Sequence, residues 1–228
     1  MHLLSVQNLL MSFESPRGQT QPVLRVPAFC LAPGEQVALR GPSGSGKTTF
    51  LHLLAGVLSP LSGEILIDGN RLDLLKEGQR DRLRAGLIGY VFQSFNLLTG
   101  FTCLENLILA MSLTGSPKIE RARSMLDAVG LADRANFFPG QLSIGQQQRV
   151  AVARALVNEP KLVLADEPTG NLDPGNTDRV LSLLCALCRE WGSSLLVVSH
   201  DQRVINGFDR KIEWRELNEV SFDEKGVE

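Results

Sequence analysis

The sequence predicts an α/β fold, because strand-like and helix-like segments alternate and two of the strand candidates are apolar throughout. "KLVLAD" (161–166) and "SSLLVVSH" (193–200) are short apolar runs bracketed by helical patterns, which is typical of parallel strands buried on both faces. A glycine-rich loop at 41–49 follows another strand candidate and precedes a helical pattern, an order that is also typical of α/β proteins. From about 94 to 156 the sequence predicts only helices and loops. We therefore expect a mixed or parallel sheet with a helical insert.

The first part of the chain predicts several strands, and we expect an N-terminal antiparallel β part among them. "VLRVPAFCL" and "EQVALRG" predict strands separated by the turn signal "APGE". After the helix "KTTFLHLLAGVL", the segment "SGEILIDGNRL" predicts a hairpin, because Asp68-Gly69 is a strong turn dipeptide. "LIGYVF" (87–92) then predicts the next strand.

Helices dominate the middle of the chain. "CLENLILAMSL" and "KIERARSMLDAVG" are the clearest helices of the insert, and Gly130 is expected to end the second. The helix "DRVLSLLCALCREW" separates the two apolar strands, and "RKIEWREL" predicts a last amphipathic strand. We expect one domain with a core of about 1–93 and 157–215, a helical insert of about 94–156, and a short acidic, solvated tail at 216–228.

Composition excludes several classes of function. The 228-residue chain carries a formal net charge of −2, so no overall basic field indicates a nucleic-acid partner, and none is expected. Its N-terminus lacks the features of a signal peptide, and no apolar run approaches the ~18 residues of a membrane span. We expect no direct membrane insertion, so a membrane role would require a partner protein.

The four cysteines give little support for a metal or redox site. Cys185 and Cys188 have CxxC spacing, but no second pair or histidine cluster accompanies them, and they lie within an apolar-periodic helix. Buried, reduced helix cysteines are the favoured interpretation, with metal or redox chemistry as the alternative.

The glycine-rich loop "GPSGSGKTT" matches the phosphate-binding pattern G-x-x-x-x-G-K-[ST] in the required place between a strand and a helix. Glycines allow the backbone to curl so that successive N–H groups point at phosphate oxygens. The lysine supplies a charge to the outer phosphates, and the first threonine can bind Mg²⁺. The expected ATP-binding residues of this loop are Gly41, Pro42, Ser43, Gly44, Ser45, Gly46, Lys47, Thr48 and Thr49.

Polar side chains follow three strand candidates and supply the expected catalytic groups. Asp166 and Glu167 end "LVLADE", where Asp166 suits Mg²⁺ and Glu167 can orient or deprotonate a water in line with the γ-phosphate. His200 follows the next strand and can donate a hydrogen bond to the γ-phosphate, although a structural role is the commoner fate of a lone histidine. Gln93 follows "LIGYVF", and its amide can contact the metal or the water. We expect Glu167, His200, Gln93 and Lys47 to be catalytic, and Thr48, Gln93 and Asp166 to hold Mg²⁺.

A further segment, "QLSIGQQQRVAVARAL" (141–156), predicts a helix whose first turn Ser143 can cap. The N-terminus of a helix carries unpaired N–H groups and partial positive charge, which favours binding of an anion.

These segments together resemble the ATP-binding subunits of ABC transporters over essentially the whole chain. The elements occur in the order of that family: the phosphate loop at 41–48, a glutamine loop at Gln93, the signature "LSIGQ" at 142–146, the strand-end acids at 166–167, "GNLD" at 170–173, and the switch histidine His200. The segments "GYVFQSFNLL" and "ADEPTGNLD" are similar to those of the branch of lipoprotein-releasing, macrolide-export and cell-division ABC ATPases.

The resemblance implies an ATPase that energises a membrane transporter from the cytoplasmic face of the membrane, together with membrane-spanning subunits. It also implies a head-to-tail homodimer that encloses two ATP molecules. Ser143, Gly145, Gln146 and Asp173 would then act in trans on the ATP of the other subunit. Phe13 falls where the family places an aromatic that stacks on adenine, although a core role is an equal alternative.

One position departs from the family pattern, in which the signature is Leu-Ser-Gly-Gly-Gln. Ile144 replaces the first glycine, and a β-branched residue does not readily adopt positive φ. Isoleucine also brings bulk close to the ligand. Because the resemblance places Ser143 and the retained Gly145 next to the γ-phosphate, we expect hydrolysis to be retained, with an effect of Ile144 on its rate or on the tightness of dimer closure.

Two other functions remain as alternatives. A soluble ABC-type ATPase acting on nucleic acid or the ribosome usually carries long coiled-coil insertions or two cassettes, and neither occurs in this sequence. A P-loop kinase or nucleotide switch would not explain the ordered signature, glutamine and histidine elements. The resemblance to this branch implies export or extraction of a lipoprotein, drug or peptide, or mechanotransmission, but the identity of the transported substrate does not follow from this chain.

Overall fold

The protein, described here by a computed structural model over residues 2–14, 20–115 and 117–220, has an α/β fold with two sheets. The strands within these ranges are β1 (Leu4–Glu14), β2 (Thr20–Leu31), β3 (Gln36–Arg40), β4 (Ser62–Ile67), β5 (Asn70–Arg71), β6 (Ile88–Val91), β7 (Leu162–Asp166), β8 (Ser194–Ser199) and β9 (Arg210–Glu213). The helices are α1 (Lys47–Leu54), α2 (Glu77–Leu87), α3 (Cys103–Ser112), α4 (Ile119–Ala128), α5 (Ile144–Leu156), α6 (Pro174–Glu190), α7 (Gln202–Asn206) and α8 (Trp214–Leu217).

The smaller sheet is antiparallel and has the order β2-β1-β4-β5. The expected hairpin at 62–72 is confirmed as β4 and β5, and Asp68 and Gly69 adopt positive φ in the turn between them. The long strand β1 was not predicted as an element from the sequence, and neither was helix α2.

The larger sheet is parallel and has the order β6-β7-β8-β3-β9. Leu164 pairs with Leu196, and Leu39 pairs with Val198, so β3, β8 and β7 lie side by side with their carboxyl ends at one edge. This order places the loop after β3 and the residues after β7 on either side of the end of β8.

Both faces of the parallel sheet are buried, as the uninterrupted apolar runs predict. Val163 and Val197 pack into a cluster with the helices on one face, whereas Leu164 and Val198 pack with α1 and the antiparallel sheet on the other. Alternate residues of one strand therefore belong to different cores.

Residues 94–156 contain helices α3, α4 and α5 and two short 3-10 turns, and the described part of this segment has no strand. Gly130 has a φ of 69° just after α4, as expected for a glycine that ends a helix. The half-buried guanidinium of Arg154 in α5 donates hydrogen bonds to the carbonyls of Phe95 and Asn96, which ties the segment to the chain after β6.

Two expectations for the end of the chain are wrong. The predicted strand "RKIEWREL" is a strand only at β9 and continues as helix α8, because Trp214 turns inward to pack against Phe50. The expected solvated tail begins later than 216, since Leu217 is buried and the Asn218 side chain accepts a hydrogen bond from the Arg25 N–H. Residues 221–228 of that tail lie outside the described residues.

Candidate active site

The phosphate loop is tightly curled and leads directly into α1. Gly44 and Gly46 have φ values of 75° and 93°, which favour glycine. The Ser45 hydroxyl and the Lys47 ammonium both donate to the Pro42 carbonyl, at 2.7 and 2.5 Å. These bonds hold the loop closed on itself around a buried lysine.

The beginning of α1 fits an anionic group. Among residues 2–14, 20–115 and 117–220, no side chain caps this helix, and its first turn contains no acidic residue. Its free N–H groups and partial positive charge are therefore not neutralised by this part of the chain. Thr48 and Thr49 lie in the same turn. A phosphate chain is the kind of ligand that such a helix start, next to Lys47, can bind.

Trp214 supports the phosphate loop from the opposite end of the chain, and sequence reasoning missed it. Its indole N–H donates to the Ser45 carbonyl at 2.5 Å. Gly41 is required at this contact, because a Cβ there would lie 2.7 Å from the Trp214 Cβ. The only sequence signal was a tryptophan in a segment that we predicted as a strand.

The acidic residues at the end of β7 lie beside this loop. Burial lowers the pKa of Lys47, while the charges of Glu167 and Asp166 oppose that shift. Burial raises the pKa of Asp166, and a hydrogen bond with Thr48 opposes this. Asp166 and Thr48 therefore form an oxygen-only pair, which is the ligand chemistry that Mg²⁺ prefers.

Glu167 is held against the end of β8. Its Oε1 accepts from the backbone N–H of His200 at 3.0 Å and lies 2.7 Å from His200 Nδ1, while Oε2 accepts from the Ser199 hydroxyl at 2.9 Å. A carboxylate only accepts hydrogen bonds, so Nδ1 carries a proton in this arrangement. Glu167 also has a φ of 45°, and its N–H donates to the Val198 carbonyl. The structure thus brings Glu167 and His200 into direct contact.

Gln93 lies beside the "GNLD" loop. Its side chain packs so closely on Gly170 that an added Cβ would be 2.9 Å from Gln93 Nε2, and Asn171 donates to its backbone carbonyl. Gln93 therefore contacts residues 170–171, and its contact with a metal or water stays a prediction.

The signature helix α5 begins with a reciprocal cap. The Ser143 hydroxyl accepts from the Gln146 N–H, and the Gln146 side chain accepts from the Ser143 N–H. Ile144 is the first residue of the helix, is 54% exposed, and does not have positive φ. A helical residue at this position has an ordinary φ, so Ile144 does not need the positive φ that a β-branched residue disfavours. An effect of Ile144 on the rate of hydrolysis or on dimer closure stays a prediction.

Gly145 and Asp173 are linked within the same chain through Asn176, which sequence reasoning also missed. Asp173 caps α6 by accepting from the N–H groups of Gly175 and Asn176, and the Asn176 amide donates to its second oxygen at 2.5 Å. These bonds, the Asn176 side chain first, lower the pKa of Asp173. A Cβ at Gly145 would lie 3.1 Å from Asn176 Oδ1. Gly145 therefore makes room for a neighbour in its own subunit.

Phe13 lies in β1, paired with Gln21, and its side chain is 44% exposed. It is not part of either core cluster, so the alternative of a core phenylalanine does not hold. Stacking on adenine stays a prediction.

The CxxC pair is part of the helical core. Burial raises the pKa of Cys185 to about 11 and that of Cys188 to about 12. Across the described ranges, no group of three or more His, Cys, Asp or Glu side chains is arranged to hold a metal ion. Within those same ranges, no helix is both long and apolar enough to cross a bilayer.

Comparison with known proteins identifies what this architecture is similar to. The family model described as "ABC transporter" matches residues 24–170. The dimeric structure of MJ0796, a bacterial ABC transporter cassette, matches with a TM-score of 0.84 and 35% identity over 92% of this chain and 93% of that one. A post-hydrolysis dimeric structure of the ATP-binding cassette MJ0796, bound to ADP and Pi, matches with a TM-score of 0.85 and 34% identity over 98% of this chain and 100% of the other.

Proposed function

Because the chain belongs to the ABC transporter family, we propose that it binds and hydrolyses ATP as the energising subunit of a membrane transporter. One observation carries the proposal. The uncapped start of α1, the buried Lys47 and the Glu167–His200 pair meet at one edge of the parallel sheet. This is the arrangement of charge and base that phosphoryl transfer to water needs.

In this proposal the phosphate loop binds the outer phosphates through its N–H groups and Lys47. Thr48, Asp166 and Gln93 would hold Mg²⁺, which when bound neutralises phosphate charge. Glu167 orients or deprotonates the attacking water, with its carboxylate held by β8. His200 keeps the hydrogen bond from its Nδ1 to Glu167. Its other ring nitrogen, when protonated, donates a hydrogen bond to the γ-phosphate.

We propose that the working form is a head-to-tail homodimer, as the dimeric MJ0796 cassettes support. Ser143 and the start of α5 would meet the ATP of the other subunit, and Gln146 would hold Ser143 in place. Asp173 is exposed next to this surface and would reach the seam between subunits. ATP would close the dimer, and hydrolysis would reopen it.

The proposed site for the membrane partner is a groove of about 660 Å³ between α2, β6, α3 and the end of α5. Leu109 and Leu113 give it exposed apolar surface, and Arg82 and Arg154 line it with cationic groups. A segment of the membrane partner with apolar residues and a carboxylate would complement both features. The protein would then act at the cytoplasmic face of the membrane, without inserting into it.

The ATPase assignment is tested by Glu167→Gln. We expect ATP binding to persist while turnover falls about 100-fold or more, since general-base catalysis contributes about 10²–10⁴-fold. The variant should also accumulate as an ATP-bound dimer in size-exclusion chromatography. Glu190→Gln, at an exposed acid near the end of α6, is the matched control. Normal turnover in Glu167→Gln would remove Glu167 from its proposed role.

The transporter assignment is tested by purification from detergent-solubilised membranes. A membrane-spanning protein should co-purify with the wild-type chain and be lost from Leu113→Asp. The control Leu74→Asp changes a side chain of nearly equal exposure, 71% against 70%, outside the groove. Recovery of ribosomes or nucleic acid alone would instead favour the soluble ATPase alternative.

A further inference from the structure

We propose that Ser199 is a positioning residue, which sets the rate of ATP hydrolysis by fixing the carboxylate of Glu167. This inference rests on the proposed role of Glu167 as the group that acts on the attacking water. Ser199 ends β8, and a serine at a strand end would otherwise pass as a packing residue.

The two oxygens of Glu167 depend on different donors. Oε1 accepts from the His200 N–H at 3.0 Å and contacts His200 Nδ1 at 2.7 Å. Oε2 accepts from the Ser199 hydroxyl at 2.9 Å, and no other donor within the described ranges bonds to it. Ser199 is therefore the side-chain donor that holds Oε2, whereas the ring of His200 contacts Oε1.

The proton of Ser199 is directed at Glu167 by a second bond. The hydroxyl oxygen accepts from the Asp201 N–H at 3.1 Å, which leaves its single proton for the carboxylate. Ser199 is 1% exposed, so water does not compete for that proton. A hydrogen bond to a charged group is among the stronger ones in proteins, and burial strengthens it further.

The backbone of Glu167 is fixed independently of this bond. Its φ of 45° and the bond from its N–H to the Val198 carbonyl anchor the main chain to β8. Loss of the Ser199 hydroxyl therefore leaves the residue in place and releases one oxygen of the carboxylate, which can then rotate about its last torsion.

The other end of β8 supplies a matched control. Ser194 is also buried, and its hydroxyl likewise accepts one bond, from the Gly34 N–H, and donates one, to the Ala32 carbonyl. Ser194 begins the strand, opposite Leu162, whereas Ser199 ends it, so Ser194 is remote from Glu167. Ser194→Ala removes a buried hydroxyl with the same hydrogen-bonding pattern from the same strand, at a position that does not contact Glu167.

The experiment measures kcat, KM and thermal unfolding for Ser199→Ala, Ser199→Thr, Ser194→Ala and Glu167→Gln. We expect Ser199→Ala to lower kcat about tenfold with KM unchanged, the size of effect expected for one hydrogen bond to a charged group. Ser199→Thr keeps the hydroxyl and should restore kcat to within about twofold of wild type. Ser194→Ala should lower thermal stability only. If Ser199→Ala does not fold, Ser199→Cys, a weaker donor, takes its place.

The proposal is overturned if Ser199→Ala and Ser194→Ala have the same kcat, or if the threonine variant is as slow as the alanine variant. The result for Glu167→Gln separates this failure from that of the proposed function. A slow Glu167→Gln with a normal Ser199→Ala removes only the role of Ser199, whereas an active Glu167→Gln removes the role of Glu167 as well.

Discussion

The phosphate-loop region and the signature helix are both expected to contact ATP, but they are built in different ways. Lys47 is buried and held by bonds within its own loop, and Glu167 is fixed by residues of the neighbouring strand. At the signature helix, Ser143 and Ile144 are exposed and their bonds are only those of a local helix cap.

In the proposed dimer, this difference corresponds to a binding half that one chain organises nearly completely and a second half that meets the other subunit. The first is organised by the sheet edge before any ligand arrives. In the second, the start of α5 is exposed at Ser143 and Ile144 and has no acidic residue in its first turn, which suits an anionic ligand. We propose that this ligand is the ATP of the other subunit. Substitutions in the two halves are expected to change ATP affinity or ATPase activity by different amounts.

The largest effect is expected at Lys47. Lys47→Ala removes the charged donor to the outer phosphates, and ATP affinity should fall about 100-fold or more, the loss expected for a strong charge-assisted hydrogen bond. Isothermal titration calorimetry measures the ATP affinity of the variant. Lys161→Ala, which removes only an exposed ion pair with Asp68, should leave affinity unchanged. Equal affinity in both variants would mean that the phosphate loop is not the binding half.

A smaller effect is expected at Ser143. Ser143→Ala should lower kcat/KM about tenfold through loss of one hydrogen bond to a phosphate, and the lost helix cap should cost about 1 kcal/mol of stability. Thr102→Ala removes an equivalent reciprocal cap from α3 and should show only the stability loss. If Ser143→Ala and Thr102→Ala have the same ATPase activity, Ser143 acts only as a helix cap.

The smallest effect is expected at Ile144. Ile144→Gly should destabilise the protein by up to about 1 kcal/mol, from the poor helix propensity of glycine, and leave ATPase activity within about twofold. Ile119→Gly is its match, because Ile119 is also the first residue of a helix and is 51% exposed. A rise in activity in Ile144→Gly alone would show that the isoleucine obstructs the site.

Much of the fold and of the phosphate-binding half could be predicted from the sequence, because both are specified by local patterns. The glycine and lysine positions of the phosphate loop lie within nine residues, and Asp166 and Glu167 end an apolar run. Parallel strands bring their carboxyl ends to one edge, so motifs distant in sequence could be expected to lie together.

What could not be predicted depends on long-range contacts. Trp214 reaches Ser45 across 169 positions, and Ser199 reaches Glu167 across 32. Each is an ordinary residue in its local segment and gains its role only from packing. The backbone of Ile144, by contrast, is set locally, because the start of α5 gives it an ordinary helical conformation.

The central claim is that the two halves of each ATP site come from different subunits. The direct test mixes two inactive variants, Lys47→Ala, which lacks the phosphate-loop half, and Ser143→Arg, which blocks the signature half. Random pairing places one intact site in half of the dimers, so ATPase activity should recover to about a quarter of wild type. If every mixing ratio stays as inactive as the separate variants, the two halves do not act in trans and the account is contradicted.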